Sequence, residues 1–320
     1  MSKLNYLKKI LSALSTVFIT SLIIFLLFEL LPGDPVLARM GVESDPIVEA
    51  RLREEFGLSQ PVYMRFFKWI YQVLKGNLGN SFSYSNYTVL ELIKSRVPTT
   101  LTITLGTLLI VLIVSIPLGS LLARKQEKKS FRLLKIFSQV GFSIPSFWVA
   151  IILMYIFSLK LKLLPTVGTV NWSRYPITTI KSLVLPILTL SISKVPLVSH
   201  YLSNSMLEES HKDYVRVAKS KGLSMDEIFK KHILRNSLIS VITIIGMISI
   251  YLVTGTIVIE NVFALPGLGT LLVEAINRKD YPLVQGIVLY ISIAVIFINF
   301  IVDIAYSIVD PRIRKRGLKK

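Results

Sequence analysis

The chain has 320 residues, of which 52% are hydrophobic and only 18% charged, with a mean hydropathy of +0.62. A soluble globular protein carries about 25% charged residues, so this balance argues against an ordinary soluble enzyme, and the apolar content excludes intrinsic disorder. There is no cysteine, which removes disulfides, thiolate metal sites and cysteine nucleophiles, while the formal net charge of +18 suits nucleic acid or an anionic membrane surface, depending on where the cations sit.

A membrane helix needs about 20 mostly apolar residues. Six windows meet that requirement: Ile10–Leu31, Thr100–Ala123, Ile136–Leu159, Ser182–Leu202, Leu238–Val262 and Leu283–Val309. The first follows Lys3, Lys8 and Lys9. Its apolar run is longer than the roughly 7–15 residues of a secretory signal core, and it ends in Glu29-Leu-Leu-Pro-Gly-Asp34, so it reads as a retained anchor. The segment Pro32–Thr99 comes next. Pro46–Phe56 and Tyr63–Lys75 read as short amphipathic helices separated by Gly57-Leu-Ser-Gln-Pro61, and Gly76-Asn-Leu-Gly79 then breaks the chain. This segment is expected to form a cap on the outer surface. Pro117, Pro145, Pro186 and Pro196 lie in or near later spans, either as helix starts and packing elements or as hinges. The domain reading is therefore 1–31, a cap at 32–99, a membrane core at 100–309 containing a loop at 204–236, and a basic tail at 310–320.

Six spans leave both termini on one side. That side carries Lys3, Lys8 and Lys9, the basic run from Arg124 to Lys135, the loop Asn204–Asn236 and the tail Arg312–Lys320. Lys and Arg in short loops mark the cytoplasmic face, so both termini are expected in the cytoplasm. The positive charge is thereby used for orientation and for contact with the lipid bilayer, and a nucleic-acid role is set aside.

The loop from Ser210 to Asn236 is unlike the rest. It reads as helix, turn, helix, with Lys219 and Lys221 closing the first helix before Gly222, and Ser224 opening the second with Glu227 at capping-box spacing. Ala218 is small, so another surface has room to approach there. Two short polar helices between membrane spans make a projecting knob.

Ionisable and amide groups also fall in or near the spans: Glu29, Lys194, Glu260, Asn299 and Asp303. Such groups are expensive in lipid and mark protein-facing or water-facing positions. Structural roles suit Glu29 and Asp303, with Asp303 on the path as the other reading, and Lys194 snorkels or pairs. Glu260 and Asn261 stand beside Pro266-Gly-Leu-Gly269, which is either a short re-entrant gate or a stiff connection. Both readings stay open.

Asp213-Tyr-Val-Arg-Val-Ala-Lys-Ser-Lys-Gly-Leu223 and His232-Ile-Leu-Arg-Asn-Ser237 resemble the EAA loop of binding-protein-dependent ABC importer permeases, in particular the dipeptide, oligopeptide and nickel branch. The resemblance extends to Leu31-Pro-Gly-Asp-Pro35, Phe56-Gly-Leu, Gly76-Asn-Leu-Gly-Asn-Ser81, Val258–Gly269, Lys279-Asp-Tyr-Pro282 and Asp310-Pro-Arg312. Departures are Asn77 where an acid is common, Leu265 where an aromatic is common, and Ile250-Tyr-Leu-Val-Thr-Gly255 in place of a glycine-rich stretch. The resemblance implies an all-α membrane protein of the type I ABC importer permease (MetI-like) fold in a bacterial or archaeal cell membrane. It implies as partners a second homologous permease, two ABC ATPase subunits and an extracytoplasmic solute-binding protein. On this reading Ala218 and Gly222 are close-packing positions against the ATPase. Asp213, Tyr214 and Arg216 lie at the approach, and Arg235 and Asn236 fix the return into the membrane. Glu260, Asn261, Pro266, Gly267, Gly269 and Asp303 are candidates for the path or gate.

No glycine is followed by lysine, so no Gly-Lys-Ser/Thr phosphate loop exists. ATP and magnesium are expected on the partner ATPases, with no cofactor or metal held by this chain and no catalytic residues. The expected solute is a di- or oligopeptide, with nickel or a metal–chelator complex as the alternative. An intramembrane enzyme or a sensor is the other class. An enzyme needs a paired nucleophile and base or paired metal ligands within the spans, and His200, His211 and His232 do not fall in a zinc-type spacing.

Overall fold

The computed structural model describes residues 3–30, 36, 46–55, 60–84, 86–125 and 144–309. Among these, regular structure is helical apart from one isolated bridge between Asn80 and Thr88. The helices are α1 (Lys3–Leu30), α2 (Pro46–Glu55), α3 (Val62–Leu74), α4 (Val89–Arg124), α5 (Ser146–Lys160), α6 (Pro176–Ser210), α7 (Asp213–Ser220), α8 (Met225–Val262), α9 (Leu268–Asn277) and α10 (Tyr281–Val309). Five are long and apolar enough to cross a membrane: α1 from Lys9, α4, α6, α8, and α10 as far as Ala305. α5 is shorter, and the start of the expected third span, along with most of the basic run after Arg124 and the tail, lies outside the described residues.

Several helices outlast their apolar windows. α4 starts at Val89, not Thr100, so the last part of the expected cap is helical and continuous with a span. α6 has 35 residues, about 52 Å at 1.5 Å per residue, against a hydrocarbon layer of about 30 Å. Backbone hydrogen bonding continues after the chain leaves lipid, and hydropathy registers only the apolar part. The same effect changes the loop. Its second helix is not a separate short element, because Met225–Val262 is one helix whose turns widen to π geometry over Phe229–Ile233.

The chain forms two compact units, one of Met1–Asn5, Thr100–Leu265 and Ile298–Lys320, the other of Tyr6–Thr99 and Pro266–Phe297. In the first, α4 packs on α6 through small residues. A Cβ at Gly106 would stand 2.7 Å from Ile187 Cδ1, and one at Gly119 would stand 2.8 Å from the Ser199 carbonyl oxygen. Between them the Ser115 hydroxyl donates to the Val195 carbonyl at 3.2 Å, and the Ser199 hydroxyl donates to the Ser115 carbonyl at 3.4 Å. Ser115 and Gly119 have the small-xxx-small spacing that lets membrane helices approach closely. Partners rise together in number, so α4 and α6 run parallel, which requires an odd number of crossings between them; α5 lies in that interval. α6 and α8 run antiparallel, with Ser205 on Ser240 at 3.0 Å and the Lys194 ammonium 5.5 Å from the Tyr251 ring centre. Pro186 and Pro196 lie inside an unbroken α6, whereas Pro145 caps the start of α5.

In the second unit, Val89, Ile93, Leu271, Ala275, Leu283 and Ile287 form the core. Gly286 lets α10 come close to α4, since a Cβ there would stand 2.4 Å from Val89 Cγ1. Glu29 accepts from Arg65 Nη1 of α3 at 2.5 Å.

Candidate functional site

The loop between α6 and α8 is built from local rules. α7 turns Val215 and Ala218 inward, three residues apart on one face, and exposes Asp213, Arg216, Val217 and Lys219. Gly222 ends the helix in the left-handed region at φ +80°. Its N–H bonds Lys219 O at 2.9 Å and the Leu223 N–H bonds Ala218 O at 3.3 Å, the paired closure of a Schellman motif. Ser224 and Glu227 then form a reciprocal capping box.

Two expected contact positions also serve the chain's own fold. Ala218 belongs to the chain's own hydrophobic cluster, so its small size serves internal packing. A Cβ on Gly222 would meet nothing within 4 Å; the glycine is required by its backbone angle, which costs an L-residue roughly 1–2 kcal/mol. The exposed large apolar side chains of the loop are Val217, 54% exposed, and Met225, 42% exposed, on either side of the Gly222 turn. The Asp213–Arg216 pair, at 3.5 Å, is almost fully exposed and adds little stability.

Tyr214 ties the root of the loop. Its hydroxyl donates to Glu209 Oε2 at 2.8 Å and also bonds the Asn236 side chain, so one phenol joins the end of α6 to the return helix. Burial, reinforced by Glu209, raises the Tyr214 phenol above its usual value, and the Asn236 bond opposes that shift. Lys212 pairs with Glu209 from the other side, and Arg124 at the end of α4 pairs with Asp226 and lies over the Phe229 ring. Arg235 is exposed. Glu209 was not singled out from the sequence. An acid five residues before the tyrosine is no signal until the chain turns between them.

The expected gate residues are divided. Glu260 is fully buried and accepts from the Thr100 hydroxyl at 2.6 Å, so its carboxyl is closed to solute in this arrangement. Asn261 is exposed, and its amide donates back to Ile257 O at 2.7 Å. Asp303 is exposed on α10. After Glu260 the chain turns through Ala264 at φ +48°, with Leu265 N bonding Glu260 O at 2.8 Å. Gly168 seals this turn. Its N–H bonds Phe263 O at 3.0 Å, and a Cβ there would fall 2.0 Å from Leu265 Cδ2. In the second unit, Pro266, Gly267 and Gly269 form the start of α9, where the Gly267 N–H bonds Thr270 Oγ1 at 3.1 Å.

A further buried acid joins two of the motifs noted above. Asp280 is fully buried; its Oδ2 accepts from the Ser81 hydroxyl and, at 3.0 Å, from the Ser83 N–H, while Oδ1 accepts from the Leu283 N–H at 3.3 Å. It thus caps α10 and holds the chain following Gly79. An Asp two residues before Pro at a helix start is an N-cap signal legible in sequence; the link to Ser81 is not. Nearby, the Tyr84 hydroxyl donates to Glu274 Oε2 at 3.0 Å, and burial followed by that bond raises the phenol above its usual value.

Residues 115–315 match the family described as binding-protein-dependent transport system inner membrane component, and residues 3–104 match the N-terminal region of the same kind of membrane component. The chain belongs to this family. It is therefore a multi-pass membrane subunit of a transport system. A protein of Brucella abortus (strain 2308) named as a peptide transport system permease is 37% identical over 308 residues, covering 96% of this chain and 98% of the relative. The glutathione transport system permease protein GsiC of Salmonella paratyphi A is 37% identical over 312 residues, covering 97% and 99%. The inward-facing MetNI methionine ABC transporter contains a chain of similar fold, with a TM-score of 0.57 and 17% identity over 69% of this chain and 97% of that one. The chain thereby has the MetI-like helical fold that the sequence resemblance implied.

Proposed function

We propose that the chain is one of two permeases forming the pathway of an ATP-driven importer for peptides, with the loop 204–236 facing the cytoplasm and seated on an ATPase subunit. The peptide assignment is supported by relatives named for peptide and glutathione transport at 37% identity over nearly the whole chain. The coupling role is supported by one observation above the rest. A short helix closed by the Gly222 turn stands between two spans, and Val217 on it and Met225 at the capped start of α8 flank that open turn. Tyr214, Glu209 and Asn236 bind its root to both spans, so a push on α7 passes to α6 and α8. ATP and magnesium stay on the partner ATPases. A solute-binding protein delivers peptide at the opposite face, and a second, homologous permease completes the path. The described helices then alternate between outward-open and inward-open packings.

Gly222→Arg tests this reading in the assembled transporter. The variant combines left-handed strain with bulk at the tip, so peptide uptake is lost while the chain stays in the membrane. Normal uptake together with normal ATPase recruitment would falsify the coupling role. Parallel uptake of labelled dipeptides, glutathione and nickel assigns the solute, and transport of nickel alone would overturn the peptide assignment.

A further inference from the structure

α3 carries apolar residues on two faces. One lies on α1, where the Phe66 ring is 5.7 Å from Phe18 and 5.4 Å from Phe25, and Trp69 is 5.7 Å from Phe25. Phe18 and Phe25 are two turns apart on α1, so Phe66 sits between them, about 13 Å along the axis from Leu30 at 1.5 Å per residue. The apolar part of α1, Lys9–Leu30, has 22 residues, about 33 Å, which barely covers a hydrocarbon layer of about 30 Å. Leu30 therefore lies near the edge of that layer and Phe66 lies within it. α3 is thus packed along the flank of a span, below its end. Arg65, one residue earlier, reaches back up to Glu29, as a long cation does when its stem is in lipid.

The second face is left exposed by the described residues. Tyr63, Phe67 and Tyr71 recur every four residues and continue to Leu74, with exposures of 60%, 59%, 58% and 81%. At this depth water is excluded and an aromatic stripe needs an apolar neighbour. Charge decides which one. Val62–Leu74 has no acidic residue; Arg65 is matched by Glu29, while Lys68 and Lys75 are exposed, with the Lys75 ammonium 4.2 Å from the Tyr71 ring centre. Cations and tyrosines bordering an apolar stripe match phosphate headgroups above acyl chains.

We infer that α3 is a lipid-immersed helix. Its Tyr63–Phe67–Tyr71–Leu74 face contacts acyl chains in the leaflet at the Leu30 end of α1, and Lys68 and Lys75 reach lipid phosphates. The inference needs only that α1 spans the membrane, and it stands apart from the choice of solute and from the coupling role.

The natural absence of cysteine makes the test direct, because Phe67→Cys carries the one nitroxide in this chain. The labelled chain is assembled with partner subunits whose cysteines have been replaced, in vesicles of phosphatidylcholine and phosphatidylglycerol. Power saturation then compares collision with oxygen, which enters lipid, and with a water-soluble nickel chelate. The ratio is expected to be several-fold higher than at Ser173→Cys, an exposed position in the turn between α5 and α6. A ratio equal to that reference would put the face in water, and low collision with both reagents would put it against another protein chain; either overturns the inference. Tyr71→Cys repeats the measurement on the same stripe if Phe67→Cys does not assemble.

Discussion

Asp280→Asn isolates the buried junction between Ser81 and the start of α10. The carboxylate serves three donors with two oxygens: the Ser81 hydroxyl and the Ser83 N–H on one, the Leu283 N–H on the other. An amide offers a single oxygen. Turned toward Ser81 and Ser83, it sets its NH2 against the Leu283 N–H, donor to donor; turned the other way, it abandons two donors. A buried donor left unpaired costs about 1–3 kcal/mol. The bonds that survive also weaken, because a charged acceptor makes hydrogen bonds roughly twice as strong as a neutral one. The junction should lose about 2–4 kcal/mol, and since each 1.4 kcal/mol is a factor of ten, local opening should become about 30- to several-hundred-fold more frequent. Hydrogen–deuterium exchange of the assembled protein reads this in peptides covering 80–84 and 280–285. Faster exchange in both peptides, with the α6 peptides unchanged, is the expected pattern. Unchanged exchange at both would refute the assignment of Asp280 as the link, and acceleration throughout the chain would mean that the substitution acts globally.

Three further outcomes follow from the same geometry. Gly119→Ala places a methyl group 2.8 Å from a backbone oxygen that has nowhere to move, so it should cost about 1–3 kcal/mol and lower the thermal midpoint in detergent; Gly255→Ala in α8, with nothing within 4 Å, should raise it by removing a mid-helix glycine. Tyr214→Phe removes the bond from Glu209 to the loop root and should speed amide exchange across 209–214 while leaving the α9 peptides unchanged. Glu260→Gln keeps an oxygen for the Thr100 hydroxyl and should stay close to wild type in thermal stability, whereas Glu260→Ala leaves that hydroxyl buried without this acceptor and opens a cavity, for a loss of about 2 kcal/mol or more.

The membrane spans and the caps of the loop were legible in the amino-acid order because both are local. Lipid accepts only apolar side chains over about 20 residues, so composition in a window suffices to find a span. The Gly222 turn and the Ser224–Glu227 box each close within a few residues, and the chain needs no distant help to form them. The length of α8 was not legible, because its first turns are polar and hydropathy marks where lipid ends, not where the backbone stops hydrogen bonding. The inward face of Ala218, the burial of Glu260 against Thr100 and the union of Ser81 with Asp280, 199 residues apart, were decided by tertiary packing. Each depends on which distant segment is adjacent, and the energy of a buried polar group is set by that neighbour more than by its own position in the chain.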